Sequence, residues 1–241
     1  MAIKKVTYNK HSFDISYEIV NPSAQNVLVF LHGWGSNKEL MKQAFGGEFK
    51  DYKHIYLDMP GFGKSSNDTV LTTNDYKEII NEFLKLFTLD SSLLTIFGHS
   101  FGGKVATLLN PKYLVLLSTA GILEQKSLKV KLKIKLAKIL GNLGLRGITK
   151  AFRSDDVNNM SQNMYETFKN VLDEDFSQSF AKHKRKTFIF WGQKDTATTL
   201  SSGKKIAELI EDSEFYDFDG DHYFFLKYHN KIGEICESRF T

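Results

Sequence analysis

Short, nearly continuous apolar runs recur along the chain: NVLVFLHG (26–33), HIYLDMPG (54–61), LLTIFGHS (93–100), YLVLLSTAG (113–121), KTFIFWGQKD (186–195) and SEFYDFDGDH (213–222). Most are rich in Val, Ile, Leu and Phe, the pattern of strands buried on both faces of a parallel sheet. Between them, TTNDYKEIINEFLKLF (72–87) has helical periodicity with Asn74 or Asp75 as the expected N-cap, and SSGKKIAELIEDS (201–213) reads as a second helix. Strands alternating with helices predict an α/β fold, a doubly wound and mostly parallel sheet with helices on both faces. In that architecture functional loops lie at the carboxyl ends of the strands.

The alternation stops between about 122 and 185, where sheet-like runs give way to Lys, Leu, Asn and Met. A helical cap inserted at 122–185 is therefore expected, splitting a core formed by 1–121 and 186–241. Within it, LKVKLKIKL (128–136) alternates with period 2, yet Leu128, Leu132, Leu136 and Leu140 also form an i, i+4 stripe; helix is the expectation. The 241 residues suit one large α/β domain with such an insertion.

Charge adds one feature. The net charge of +4 is too modest for a nucleic-acid footprint, but residues 122–186 hold 14 Lys/Arg against 7 Asp/Glu. The Lys run at 126–138 reads first as a solvated face of the cap; an acidic carrier protein or an anionic lipid surface is the alternative partner. The single Cys236 excludes an internal disulfide and a thiolate zinc site, and His11, His54, His183 and His229 lack metal-ligand spacing. No apolar run is long enough for a transmembrane helix and the first residues carry no secretory h-region, so a cytoplasmic location is expected.

Candidate chemistry centres on IFGHSFGGKV (96–105), which admits two readings. Gly98 to Gly103 with Lys104 is most of a phosphate loop, and Asp58-Met59-Pro60-Gly61 and Gly63-Lys64-Ser65 add GTPase-like fragments. Against this, Val105 stands where a magnesium-binding hydroxyl belongs, Asp58 replaces the first glycine of the second fragment, and the D-x-x-G precedes the loop. The other reading is Gly98-His99-Ser100-Phe101-Gly102, a turn that presents a nucleophilic serine between strand and helix. A serine needs a histidine base and a carboxylate to orient it. Asp195 and His222 follow, each just past a strand, in the order Ser, Asp, His. Gly33-Trp34-Gly35 ends an earlier strand; the amides of Trp34 and Phe101 are the natural oxyanion donors, each worth about 2.7–4 kcal/mol.

Together HGWG, DMPGFGKS, GHSFGG, WGQKD and GDHYFF resemble the α/β-hydrolase superfamily over 25–121 and 186–240. The resemblance implies Ser100 as nucleophile, His222 as base, Asp195 as its acid, and an oxyanion hole at the Trp34 and Phe101 amides, with no cofactor and no metal. Asp219 and Asp221, beside His222, are alternative acids. His32 and Asp58 are expected to be structural, and His99 to face away from Ser100 as core filler. Met160, Met164, Phe168 and Phe176 are candidates for an acyl pocket or for packing the cap on the core. The implied activity is that of a carboxylesterase on small or medium acyl esters. Carbon–carbon bond hydrolysis of a vinylogous diketone, thioesterase, lactonase or peptidase activity, and ligand sensing without turnover stay open.

Overall fold

The computed structural model describes residues 1–123 and 160–240. Eight strands, β1 (Ala2–Tyr8), β2 (His11–Val20), β3 (Val27–Leu31), β4 (Lys53–Leu57), β5 (Thr95–His99), β6 (Tyr113–Leu117), β7 (Lys186–Gly192) and β8 (Ser213–Phe218), form one sheet. The order is β1-β2-β4-β3-β5-β6-β7-β8, antiparallel at the β1–β2 and β2–β4 pairs and parallel elsewhere. All six apolar runs are strands, as expected. The β1–β2 hairpin was not anticipated. It is covered on one side only, burying Val6, Phe13 and Ile15 among lysines and polar residues, so its apolar signal is diluted. Its two-residue loop has Asn9 and Lys10 both at positive φ, a primed turn without the usual glycine.

Among the described residues, seven α-helices accompany the sheet: α1 (Lys38–Phe45), α2 (Thr73–Lys85), α3 (Phe101–Leu109), α4 (Gln162–Leu172), α5 (Ser177–Lys182), α6 (Leu200–Leu209) and α7 (Phe225–Glu237). The N-cap of α2 is Thr72, not Asn74 or Asp75. Thr72 Oγ1 accepts the Asp75 amide at 3.2 Å while the Asp75 carboxylate accepts the Thr72 amide at 2.8 Å, a reciprocal capping box with Asp75 at the third helical position. Both α4 and α5 lie in the segment expected to be a helical insertion. The 128–136 stretch and the whole Lys run at 126–138 lie outside the described residues.

Side-chain alternation along the central strands sorts the core into two chemistries. Val29, Leu31, Ile55, Leu57, Ile96, Leu114, Leu116 and Ile189 face α2, α3 and α6. Phe30, Tyr56, Phe97, Phe188 and Phe190 face α1 and α7. On the second side Phe30 stacks on Tyr56 and Phe97 at 4.5 and 4.7 Å. Each buried ring or branched chain contributes about 1.5–3 kcal/mol, so both layers are strongly held and the strand ends between them are fixed. No helix among the described residues is long and apolar enough to cross a membrane.

Candidate active site

Ser100 stands between the last residue of β5 and the first of α3, with φ 51° and ψ −115°. A non-glycine residue there carries about 1–3 kcal/mol of strain and persists only if its surroundings fix it. They do. The Ser100 amide donates to the Leu117 carbonyl at 3.1 Å, and its own carbonyl accepts from the amides of Gly103 and Ala120, both at 3.1 Å, and from Thr119 Oγ1 at 3.0 Å. At Gly102 a Cβ would fall 2.5 Å from the carbonyl oxygens of Leu31 and His32, so glycine alone lets α3 approach β3.

Asp195 lies in the loop after β7 and His222 in the loop after β8. Nδ1–H of His222 donates to Asp195 Oδ2 at 2.7 Å, which leaves Nε2 as the basic nitrogen. Asp195 Oδ1 accepts the amides of Ala197 and Thr198 at 2.8 and 2.9 Å, and the Thr198 hydroxyl donates to Oδ2 at 2.9 Å. Burial opposes the ionised carboxyl, but the bonds from His222 and Thr198 outweigh it and bring its pKa down to about 2. The neighbouring acids are used elsewhere: Asp219 pairs with Lys194, and Asp221 accepts the Tyr223 amide at 2.8 Å. Thr198 escaped the sequence reading, although an aspartate two and three residues before the amides it caps is a turn signature.

His222 packs against the residue that precedes Ser100. His99, buried just before it, sits 4.6 Å from the His222 ring and donates Nε2–H to the His222 carbonyl at 3.1 Å. It is hydrogen-bonded filler as expected, but its partner is His222 itself. Burial and then the nearby His222 push its pKa down to about 3, so it stays neutral. Across the turn, a Cβ at Gly33 would lie 3.1 Å from Ser100 Cβ, which places the Gly33-Trp34-Gly35 loop beside the serine. Phe101 is the first residue of α3, where amides lack helical acceptors and the dipole is positive.

The Gly33-Trp34-Gly35 loop has its own frame. His32 Nδ1–H donates to the Gly33 carbonyl at 2.8 Å and Nε2 accepts the Met59 amide at 3.0 Å. Burial takes its pKa down to about 4. Asp58 Oδ1 accepts the Lys38 amide at 2.8 Å, while Oδ2 accepts the Lys38 ammonium at 2.8 Å and the Lys64 amide at 3.0 Å. Both charged groups are buried. Gly63 has φ +55°, and a Cβ there would meet the Asp58 carboxylate at 2.4 Å. The Gly63-Lys64-Ser65 loop that resembles a phosphate cradle thus holds an anion, and the anion is Asp58.

A cavity of about 610 Å³ opens beside Trp34, lined by Phe62, Met160, Ser161, Met164 and Tyr223 with backbone of Gly35 and Gly61. Met160 and Met164 are therefore in its wall. Phe168 instead packs its ring on Trp34 at 5.2 Å, and Phe176 is buried against Phe180. Phe62 and Tyr223 were missed, because a lone aromatic in a loop carries no periodic signal. Among the described residues no group of three or more His, Cys, Asp or Glu is placed to hold a metal ion.

Residues 26–115 match a family model described as alpha/beta hydrolase fold. Among curated proteins, the chain is 30% identical over 105 residues to the biotin biosynthesis bifunctional protein BioHC of Teredinibacter turnerae, covering 40% of this chain and 17% of that one. It is 38% identical over 79 residues to a 2-succinyl-6-hydroxy-2,4-cyclohexadiene-1-carboxylate synthase from an Escherichia coli O157:H7 strain, covering 33% of this chain and 30% of that one. The chain thus spans less than a third of the length of these relatives. Among solved structures, the esterase EaEST from Exiguobacterium antarcticum superposes with a TM-score of 0.75 at 22% identity, covering 97% of each chain.

Proposed function

From the match of residues 26–115 to an alpha/beta hydrolase fold model, we propose that the chain is an α/β-hydrolase superfamily member and a serine hydrolase of carboxylic esters. The observation that carries the reading is the Asp195–His222 pair, bonded at 2.7 Å, with His222 against His99, the residue before a serine held at positive φ between β5 and α3. Ser100 Oγ attacks the ester carbonyl as His222 Nε2 takes its proton. Asp195 holds the imidazole in the productive tautomer and stabilises the imidazolium. The oxyanion rests on the amides of Trp34 and Phe101. His222 then protonates the leaving alcohol, and water activated by the same histidine releases the acid from Ser100.

The cavity lining supports an ester over a vinylogous diketone. Its described side chains are aromatic, thioether and the hydroxyls of Ser161 and Tyr223, with no charged group to stabilise a dienolate. The acyl group would be uncharged and small to medium in length. Hydrolysis of p-nitrophenyl esters from two to twelve acyl carbons tests this, with Ser100→Ala alongside. Serine-dependent turnover with a short or medium optimum is expected; absence of turnover from folded protein would overturn the reading.

A further inference from the structure

Lys104, the lysine of the apparent phosphate loop, is almost fully buried on α3, on the helix that begins beside Ser100. A buried ammonium must be matched by acceptors, and among the described residues its partners lie on one segment, 171–176. Nζ donates to the Val171 carbonyl at 2.7 Å, pairs with the Glu174 carboxylate at 2.9 Å and lies 4.5 Å from the centre of the Phe176 ring. Val171 is in the last turn of α4, where carbonyls lack helical partners and the dipole is negative. Lys104 therefore caps the C-terminus of α4 from inside the core. Glu174 is held in turn by Thr73 Oγ1 at 2.5 Å.

The rest of α4 is docked by a polar stripe. Asn163, Thr167 and Asn170, spaced by four and three residues, share one helical face. Asn163 Nδ2 donates to the Asn67 carbonyl at 3.0 Å, Thr167 Oγ1 accepts the Leu71 amide at 3.0 Å, and Asn170 Nδ2 donates to the Leu71 carbonyl at 3.2 Å. The same helix carries Met164 into the cavity wall and Phe168 onto Trp34. A helix tied by its end and along one face is a fixed wall, and its position sets how far the cavity extends from Trp34.

We infer that Lys104 is a positioning residue that fixes α4 to the catalytic helix and thereby sets the acyl length the cavity accepts. This rests on the esterase reading for the identity of the ligand, but the anchoring can be read without turnover. The test uses Ser100→Ala protein with and without Lys104→Met. Binding of straight-chain carboxylic acids of two to twelve carbons is followed by tryptophan fluorescence, and amide hydrogen exchange is followed over residues 160–176. With Lys104 present, affinity should peak within a narrow range of lengths. With methionine, the ratio between best and worst chain should fall at least fivefold, and α4 amides should exchange at least tenfold faster while α2 and α3 amides do not. In the enzyme with Ser100 intact, the same substitution should raise KM increasingly with acyl length rather than scale kcat uniformly. If Lys104→Met fails to fold, Glu174→Gln, which keeps a hydrogen-bonding side chain on a half-exposed position, should show the same flattening in milder form. An unchanged length profile, a uniform shift at all lengths, or unchanged exchange in α4 would overturn the proposal. Failure of ester hydrolysis with the length profile and exchange behaving as expected would overturn the esterase reading alone.

Discussion

The two sides of Ser100 are built on opposite plans. On the β7–β8 side the proposed functional atoms belong to side chains, and the polar contacts bear directly on them: Asp195 is gripped by His222, Thr198 and two amides. On the β3–β4 side the proposed functional atoms are backbone amides, and the polar contacts act on the loop around them through Asp58, Lys38 and His32. A substitution on the first side should change the chemistry at nearly constant stability. One on the second should change stability first and the chemistry through it.

Asp195→Asn is the sharpest test of the first half. The amide can still accept the Ala197 and Thr198 amides, so the loop is expected to survive. His222 loses the partner that fixes its tautomer, and kcat should fall by about 10³–10⁴-fold, as in serine hydrolases generally. Steady-state kinetics with a p-nitrophenyl ester measures this, and a fall under tenfold would show that another group orients His222. Asp58→Asn is its counterpart. It removes the buried counterion of Lys38 and leaves only the exposed Glu39 carboxylate at 3.5 Å, so stability should drop by about 3–5 kcal/mol in urea unfolding. If instead turnover fell a thousandfold at unchanged stability, Asp58 would belong with the chemistry and the contrast would collapse.

The same contrast explains what could be read from the sequence. Side-chain chemistry has letters: Ser100, Asp195 and His222 stand at strand ends in a recognisable order, and the structure brings Asp195 and His222 into hydrogen-bond contact. The central strands were legible because burial on both faces removes polar residues from them. Backbone frames have weaker letters. Asp58 and Gly63-Lys64-Ser65 looked like pieces of a nucleotide site because a glycine-bearing loop that wraps an anion has the same residues whether the anion is a phosphate or an aspartate. Lys104 looked like a phosphate lysine for the same reason, since the need for a buried acceptor shows in sequence while its identity does not. The β1–β2 hairpin was hidden by exposure of one face, and the cap of α2 by a one-turn ambiguity among Thr72, Asn74 and Asp75.

Acid should affect both sides alike. His32 and His99, one on each, are buried neutral with pKa values of about 4 and 3, and His183 is held at about 4 by burial. Because the unfolded chain protonates them near pH 6.5 and the folded chain does not, unfolding takes up protons as the pH falls below that value. Stability is then lost from about pH 6.5 downward, by up to about 1.4 kcal/mol per pH unit for each histidine. Asp195, with its pKa lowered to about 2, works in a separate window: its contribution is present above about pH 4 and lost only as the pH falls toward 2. Urea midpoints measured from pH 7 to 4.5 should decline steadily, and His183→Gln should make the decline shallower. A flat profile over that range would mean that these imidazoles are not held neutral.

The smallest effect expected is at Trp34, where the two plans meet in one residue. Its amide is a proposed oxyanion donor, while its indole ring lines the cavity and touches Phe62 at 4.8 Å, Phe101 at 5.6 Å and Phe168 at 5.2 Å. Trp34→Leu keeps the amide and the Gly33 and Gly35 turns, so the transition-state contact persists and kcat should change by less than about threefold. On the proposed esterase reading, the ring contributes apolar contact with the acyl group. Losing part of it is worth about 1–2 kcal/mol, so KM should rise by roughly 5- to 30-fold for medium chains and less for acetate. Equal losses in kcat across all acyl lengths would show instead that the ring holds the loop in place. The β3–β4 side would then depend on side-chain packing at its functional residue as well as on the Asp58 frame behind it.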